Sequence, residues 1–185
     1  MDEEINPWQI LSQKKVYENQ WISLTEFDVI NPNGGAGIYG KIHFKNTAVG
    51  VLPLDAQLNT YIVGQYRFPL NQYSWEIPEG GSREKEDPLA SAKRELIEET
   101  GLIAKEWMPI LHMHLSNSVS DEYAVIYLAR QLEQGNAMPD ETEKLRVRKL
   151  AFEDAYQMME KGLITDSMSV AALMKVKLML VSGLL

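Results

Sequence analysis

Glu95, Glu98 and Glu99 stand at i, i+3 and i+4 in the run Arg94-Glu95-Leu96-Ile97-Glu98-Glu99-Thr100-Gly101-Leu102. On a helix this spacing puts three carboxylates on one face, within about a turn of each other. Such a face is costly. Like charges at i,i+4 destabilise a helix by roughly 0.2–0.5 kcal/mol per pair. These acids also lie toward the helix C-terminus, where the dipole disfavours negative charge by about 0.3–1 kcal/mol each. Several local rules broken in one place point to a functional site. A divalent cation reverses the sign of both penalties, and hard oxygen ligands suit Mg²⁺ or Mn²⁺. The competing reading is a solvated acidic helix face, which is what most charge runs are.

The helix that must carry these acids is well signalled. Asp87 can cap its N-terminus, and Pro88 at the first helical position has a preset φ and no N–H to leave unpaired. Gly101 suits the position after the last turn, where φ is usually positive. Leu89, Ala92 and Leu96 form a narrow apolar stripe, so the helix can pack on a core while presenting its carboxylates.

Composition narrows the chemistry. The chain has 185 residues and is 45% hydrophobic, enough for one domain of ordinary size with a real core. Its net charge of −8 argues against nucleic-acid or membrane binding, which call for a basic face. An acidic protein acting on an anionic phosphate substrate needs cations as intermediaries, in agreement with the acidic helix. With no cysteine there is neither a disulfide framework nor a thiol nucleophile. The start, MDEEINPWQ, is unlike a signal peptide, and the expected location is the cytoplasm. The apolar tail Met168–Leu185 is interrupted by Lys175 and Lys177, so it reads as a packed helix and not a membrane span.

The chain divides into a region 1–45 and a region 46–185. Residues 14–30 read as extended, Asn31–Gly35 as a turn, and Ile38–Phe44 as a two-faced strand closing a hairpin. So small a sheet needs a packing partner, and a second copy of the chain is one. Ala48–Leu54, Tyr61–Arg67, Trp107–Leu115, Tyr123–Arg130 and Leu145–Leu150 read as strands, with 131–144 as a polar loop. Phe152–Lys161 and Ser167–Val181 read as helices. His112 and His114 share a strand face, and without a third ligand they read as a polar sheet surface. Strands mixed with a few helices give an α+β class.

The spacing Gly80, five residues, Glu86, seven residues, Arg94-Glu95-Leu96-Ile97-Glu98-Glu99-Thr100-Gly101-Leu102 resembles the Nudix box of the Nudix hydrolase superfamily, with every specified position filled. The likeness extends beyond it. Gln65-Tyr66-Arg67-Phe68-Pro69 with Trp75-Glu76-Ile77-Pro78-Glu79-Gly80 is similar to the run before the box in the branch of ADP-ribose pyrophosphatases and nucleoside diphosphate sugar hydrolases. Asp140–Glu143 with Leu145-Arg146-Val147 resembles that branch's acidic catalytic loop.

That resemblance implies an α/β/α Nudix sandwich around a mixed β-sheet, with a small N-terminal antiparallel sheet reaching over the partner of a homodimer. It implies hydrolysis of a diphosphate bridge in ADP-ribose or a nucleoside diphosphate sugar, with Mg²⁺ or Mn²⁺. Glu95 and Glu99 match metal ligands, with Glu98 close by, and the backbone carbonyl of Glu79 matches a further one. Glu143 matches the loop carboxylate that joins the metals, and Glu141 the general base; the two could exchange roles, or Glu122 could be the base. Arg67 matches an arginine at the diphosphate, Glu76 is a further substrate-binding candidate in the same run, and Ser116 with Glu122 fits a loop of the branch. Gly80, Glu86, Arg94 and Gly101 match structural positions, with Arg94 and Glu86 expected to pair. Trp21 and Tyr39 are candidates for stacking the base, with strand packing as the alternative. Asn117 stands where ADP-ribose pyrophosphatases often carry proline, which favours a broader sugar-nucleotide range. The other readings are a dinucleotide hydrolase and a binding module without catalysis, the latter expected to lose box carboxylates that this chain keeps.

Overall fold

The computed structural model describes residues 5–135 and 145–185. They form two compact units, one of residues up to Asn46 with Ser116–Glu122, the other of Thr47–Leu115 with Tyr123–Leu185.

The first unit is an antiparallel sheet of β1 (Gln9–Glu18), β2 (Ile22–Ile30) and β3 (Ala36–Phe44), in that order. The stretch expected to run extended over 14–30 is split between two strands. The cause is Asn19, whose side-chain oxygen accepts the N–H groups of Trp21 and Ile22, both at 2.8 Å, and turns the chain. Asn31 makes the second turn in the same way, accepting from Asn33 and Gly35. The segment 116–122 joins this unit through β3: Ile42 donates to the Val119 carbonyl at 2.9 Å, and Asp121 pairs with Lys41 and His43.

The second unit contains β4 (Asn46–Pro53), β5 (Asn59–Arg67), β6 (Gln72–Glu76), β7 (Glu79–Arg83), α1 (Pro88–Thr100), β8 (Leu102–His114), β9 (Tyr123–Gln134), β10 (Arg146–Ala151), α2 (Phe152–Glu160) and α3 (Ser167–Val181). Its strands divide into a mixed sheet of order β7-β4-β9-β8, in which β4 and β9 are parallel, and an antiparallel sheet of order β10-β5-β6. The division follows from Asp55. Its carboxylate accepts the N–H groups of Gln57 and Asn59, reversing the chain so that β4 and β5 meet only at a bridge between Leu54 and Thr60.

Side chains alternate across a strand, and β4 and β9 use that period to feed two cores. Ala48, Leu52, Ala124, Ile126 and Leu128 point to one side, where Phe152, Ala155 and Met159 of α2 and Met168, Ala172, Leu173 and Val176 of α3 cover them. Val49, Val51, Val125, Tyr127 and Ala129 point to the other, where Ala92 and Leu96 of α1 pack. The result is an α/β/α sandwich. The apolar tail is the packed helix α3, and among the described residues no helix is long and apolar enough to cross a membrane. His112 lies 2.9 Å from the Tyr123 hydroxyl, a polar contact on the sheet surface.

Candidate active site

Helix α1 starts and stops where its sequence dictates. The Asp87 carboxylate accepts the Leu89 N–H at 3.1 Å, and Gly101 takes φ 72° while its N–H closes on the Ile97 carbonyl. With Ala92 and Leu96 fixed in the core, the remaining orientation of the helix determines where its acids point.

Glu99 is turned inward and only 3% exposed, and it accepts the backbone N–H of Glu79 at 3.1 Å. Glu95 lies against the backbone at Gly80; a Cβ added there would collide with the Glu95 carboxyl group, so this close an approach needs glycine. The expected ligands Glu95, Glu99 and the backbone at Glu79 are thus brought together where β7 meets α1. Glu98 faces outward and takes the Arg94 guanidinium at 2.8 Å.

The expected pairing of Arg94 with Glu86 does not occur. Arg94 binds Glu95 at 2.9 Å and Glu98, and donates to the Gly81 carbonyl. Its fork is satisfied by acids on its own helix, while Glu86 lies beyond the helix start and accepts the Arg83 N–H in the preceding turn. Burial works to lower the Arg94 pKa, but the charges of Glu95 and Glu98 outweigh it and raise the value. Arg94 therefore bridges α1 to the chain at Gly81.

A second network lies just upstream. Arg67 donates through Nε to both oxygens of Glu76 at 3.0 Å, and through Nη2 to Glu76 at 2.6 Å and Glu79 at 2.7 Å. The Glu76 side chain is 3% exposed, and that of Arg67 34% exposed. Burial pulls the Arg67 pKa down, but the bonds and charges of Glu76 and Glu79 raise it, so it is a fixed cation. Burial pushes the Glu79 carboxyl pKa well above the ordinary carboxylate value, reinforced by the negative charges of Asp166 and Glu76. Among the described residues Glu79 Oε2 is buried without a geometrically formed hydrogen bond. Asp166 caps α3 through the Ser169 N–H at 2.7 Å, and Ser169 in turn holds the Ile77 N–H at 2.8 Å. The strand entering the site is thereby tied to the start of α3.

The donor set fits a hard divalent cation in kind, being oxygen throughout, clustered and only partly neutralised by Arg94. Among the described residues no three acidic, histidine or cysteine side chains form a complete metal site. Glu141 and Glu143 lie outside the described residues.

The other expected site residues belong to the first unit. Tyr39 donates its hydroxyl to the Ser118 carbonyl, meets Trp8 edge-on at 5.3 Å, and lines a hollow of about 350 Å³ with Phe27, Lys41 and Asn117. Trp21, 61% exposed at the β1–β2 turn, is not part of that lining. The Ser116 carbonyl accepts the N–H of Ser120 at 2.9 Å, and Glu122 donates its N–H to the Ser120 hydroxyl. Trp8 carries no sequence signal, since it precedes the first strand and has no periodic partner there.

The family model described as "NUDIX domain" matches residues 44–168, and the one described as "Nucleoside diphosphate sugar hydrolase N-terminal domain" matches residues 8–42. The chain is 30% identical over 170 residues to the ADP-ribose pyrophosphatase of Bacillus subtilis (strain 168), covering 91% of each. It is 29% identical over 170 residues to the methanol dehydrogenase activator of Bacillus methanolicus, again covering 91% of each. A crystal structure of an ADP compounds hydrolase superposes with a TM-score of 0.86, 20% identity and 98% coverage of each chain, a likeness of fold.

Proposed function

The chain belongs to the Nudix family, and from that membership we propose that it hydrolyses the diphosphate bridge of ADP-ribose or a nucleoside diphosphate sugar, giving a nucleoside monophosphate and a sugar phosphate. The observation that carries this reading is the packing of Glu95 and Glu99 against the backbone at residues 79–80, an oxygen cluster built at the cost of charge repulsion. Nudix hydrolases generally use divalent cations, and Mg²⁺ or Mn²⁺ suits these donors. Glu95, Glu99 and the Glu79 carbonyl would hold it, with Glu143 from the loop and Glu98 alongside. A cation bound there neutralises the diphosphate and lowers the pKa of the attacking water.

The chain's own groups do the rest. Glu141 takes the proton from the attacking water, a loop carboxylate serving as general base. Arg67, locked by Glu76 and Glu79, keeps Nη1 free of hydrogen bonds among the described residues and offers it to the diphosphate. Being already ordered, it loses little side-chain entropy on binding. Within the first unit, Tyr39 with Trp8 beside it presents an aromatic wall of the kind that stacks a base. Asn117, in the lining of the same hollow, goes with a broad sugar-nucleotide range.

We also propose a homodimer joined through the N-terminal sheet. Strand β1 is exposed along its whole length, with Ile10, Leu11, Val16 and Tyr17 between 52% and 62% accessible.

The test is a hydrolysis panel with Mg²⁺ over ADP-ribose, ADP-glucose, GDP-mannose, UDP-glucose, NADH and a diadenosine polyphosphate, with products separated chromatographically. Monophosphate release from ADP-ribose and several sugar nucleotides is the expected result. Cleavage confined to dinucleotides overturns the substrate assignment, and no cleavage with tight nucleotide binding overturns catalysis.

A further inference from the structure

The second unit carries a cleft of about 840 Å³ between β6, β10 and α2. Its construction begins with a missing side chain. Gly64 in the middle of β5 pairs in register with Trp75 on one neighbouring strand and Arg146 on the other. A Cβ at Gly64 would collide with the Tyr73 hydroxyl and stand 2.8 Å from the Trp75 ring. The two rings therefore lean across the strand into the space a larger residue would fill. They meet edge-on at 5.6 Å, Trp75 packed on the core and Tyr73 43% exposed.

The remaining lining is polar. Arg148 of β10 and Lys161 at the end of α2 bring two cations, Gln72 and Gln157 bring amides, and Asp154 is the one acid of the lining. Arg148 contacts the Met158 sulfur at 3.8 Å. Among the described residues neither Arg148 nor Lys161 has a carboxylate within ion-pair distance, whereas Lys149 holds Asp55 and Lys177 holds Glu153. A concave surface that is net positive on a chain of net charge −8 departs from the general pattern of the molecule. Its size falls in the range of small-molecule sites, about 300–1,000 Å³.

We propose that this cleft binds a small phosphorylated aromatic ligand of the nucleoside monophosphate class. The phosphate is taken by Arg148 and Lys161 through charge-assisted hydrogen bonds. The ring rests against Tyr73 and Trp75, whose faces accept any base, and Gln72 and Gln157 bond its edge. Every one of these residues is outside the carboxylate site at α1.

The experiment is calorimetric titration of the full chain with AMP in metal-free buffer. The wild-type chain is expected to bind AMP saturably, and adenosine, lacking the phosphate, about tenfold more weakly. Arg148→Glu with Lys161→Glu is expected to weaken AMP binding about tenfold or more while ADP-ribose hydrolysis stays within about twofold of wild type. Tyr73→Ala is expected to weaken it severalfold. Glu99→Gln, which disables the carboxylate site, is expected to bind AMP as wild type does. Absence of saturable wild-type binding, full binding by the charge-reversed protein, equal binding of adenosine, or loss of binding in Glu99→Gln would each overturn the proposal. If charge reversal lowers the melting temperature, Arg148→Gln with Lys161→Gln gives the same comparison.

Discussion

At the scale of single residues, the site depends on how closely carboxylates approach backbone. Gly80→Ala drives a methyl against the Glu95 carboxyl group, so Glu95 must move by about an ångström. A misplacement of that size costs about 10²-fold in turnover. The expected outcome is a loss of that order in kcat with an unchanged melting temperature in metal-free buffer; wild-type turnover would show that Glu95 is not held against residue 80 during catalysis. Glu99→Gln should weaken the Mg²⁺ dependence and the activity together, read as a shifted activation curve. Arg67→Ala leaves Glu76 and Glu79 without their cation. Breaking a fully buried pair costs about 3–5 kcal/mol, and the partial exposure of Arg67 reduces this to the order of 2–3 kcal/mol. Urea unfolding should show that loss alongside a raised KM for ADP-ribose. Asp55 gives a pH signature. Burial works to raise its pKa, but Lys149 and the amides of Asn59 and Gln57 together bring it from 3.8 to about 2. A depressed folded-state pKa stabilises above the unfolded value and the benefit disappears as pH falls through the folded one. Solvent screening reduces the contribution to on the order of 1 kcal/mol. The stability gap between wild type and Asp55→Asn should therefore be full at pH 6 and shrink between about pH 4 and pH 2.

At the scale of elements, α1 was legible because each of its boundaries has a local cause. Asp87, Pro88 and Gly101 act within a few residues of themselves, and the structure uses all three as read. Asp87→Ala should cost about 1 kcal/mol, seen as a lower melting temperature with wild-type KM at saturating Mg²⁺. Helix α2 was legible from its amphipathic pattern, and α3 as an apolar run interrupted by Lys175 and Lys177. The errors have both local and distant causes. The break between β1 and β2 depends on one asparagine closing a turn inside a run of strand formers. The partner of Arg94 is a matter of reach: two acids on its own helix satisfy the fork before Glu86 can. Arg67 and Glu76 are both expected at the substrate, but Glu76 is buried and holds Arg67, an ion pair set by the pairing of β5 with β6 that no spacing rule contains. Trp8 became visible only once β3 placed Tyr39 next to it.

At the scale of the whole molecule, the exposed β1 makes an association prediction. Sedimentation should give twice the chain mass, and Leu11→Glu with Val16→Glu should give a single-chain species; an unchanged dimer would place the contact elsewhere. The parallel pairing of β4 with β9 has a consequence of its own. It joins Ala48 to Ala124 and Pro53 to Ala129, so the entire carboxylate-bearing segment is enclosed between two strands that meet only across a long stretch of chain. Closing so large a loop costs entropy before its contacts repay it, and pairings of this kind form late. Val125, Tyr127 and Ala129 complete the core under α1 only at that moment. The acids that repel one another thus gain their packed support only once β9 has paired, and a chain still awaiting β9 has no competent centre with which to attack nucleotides.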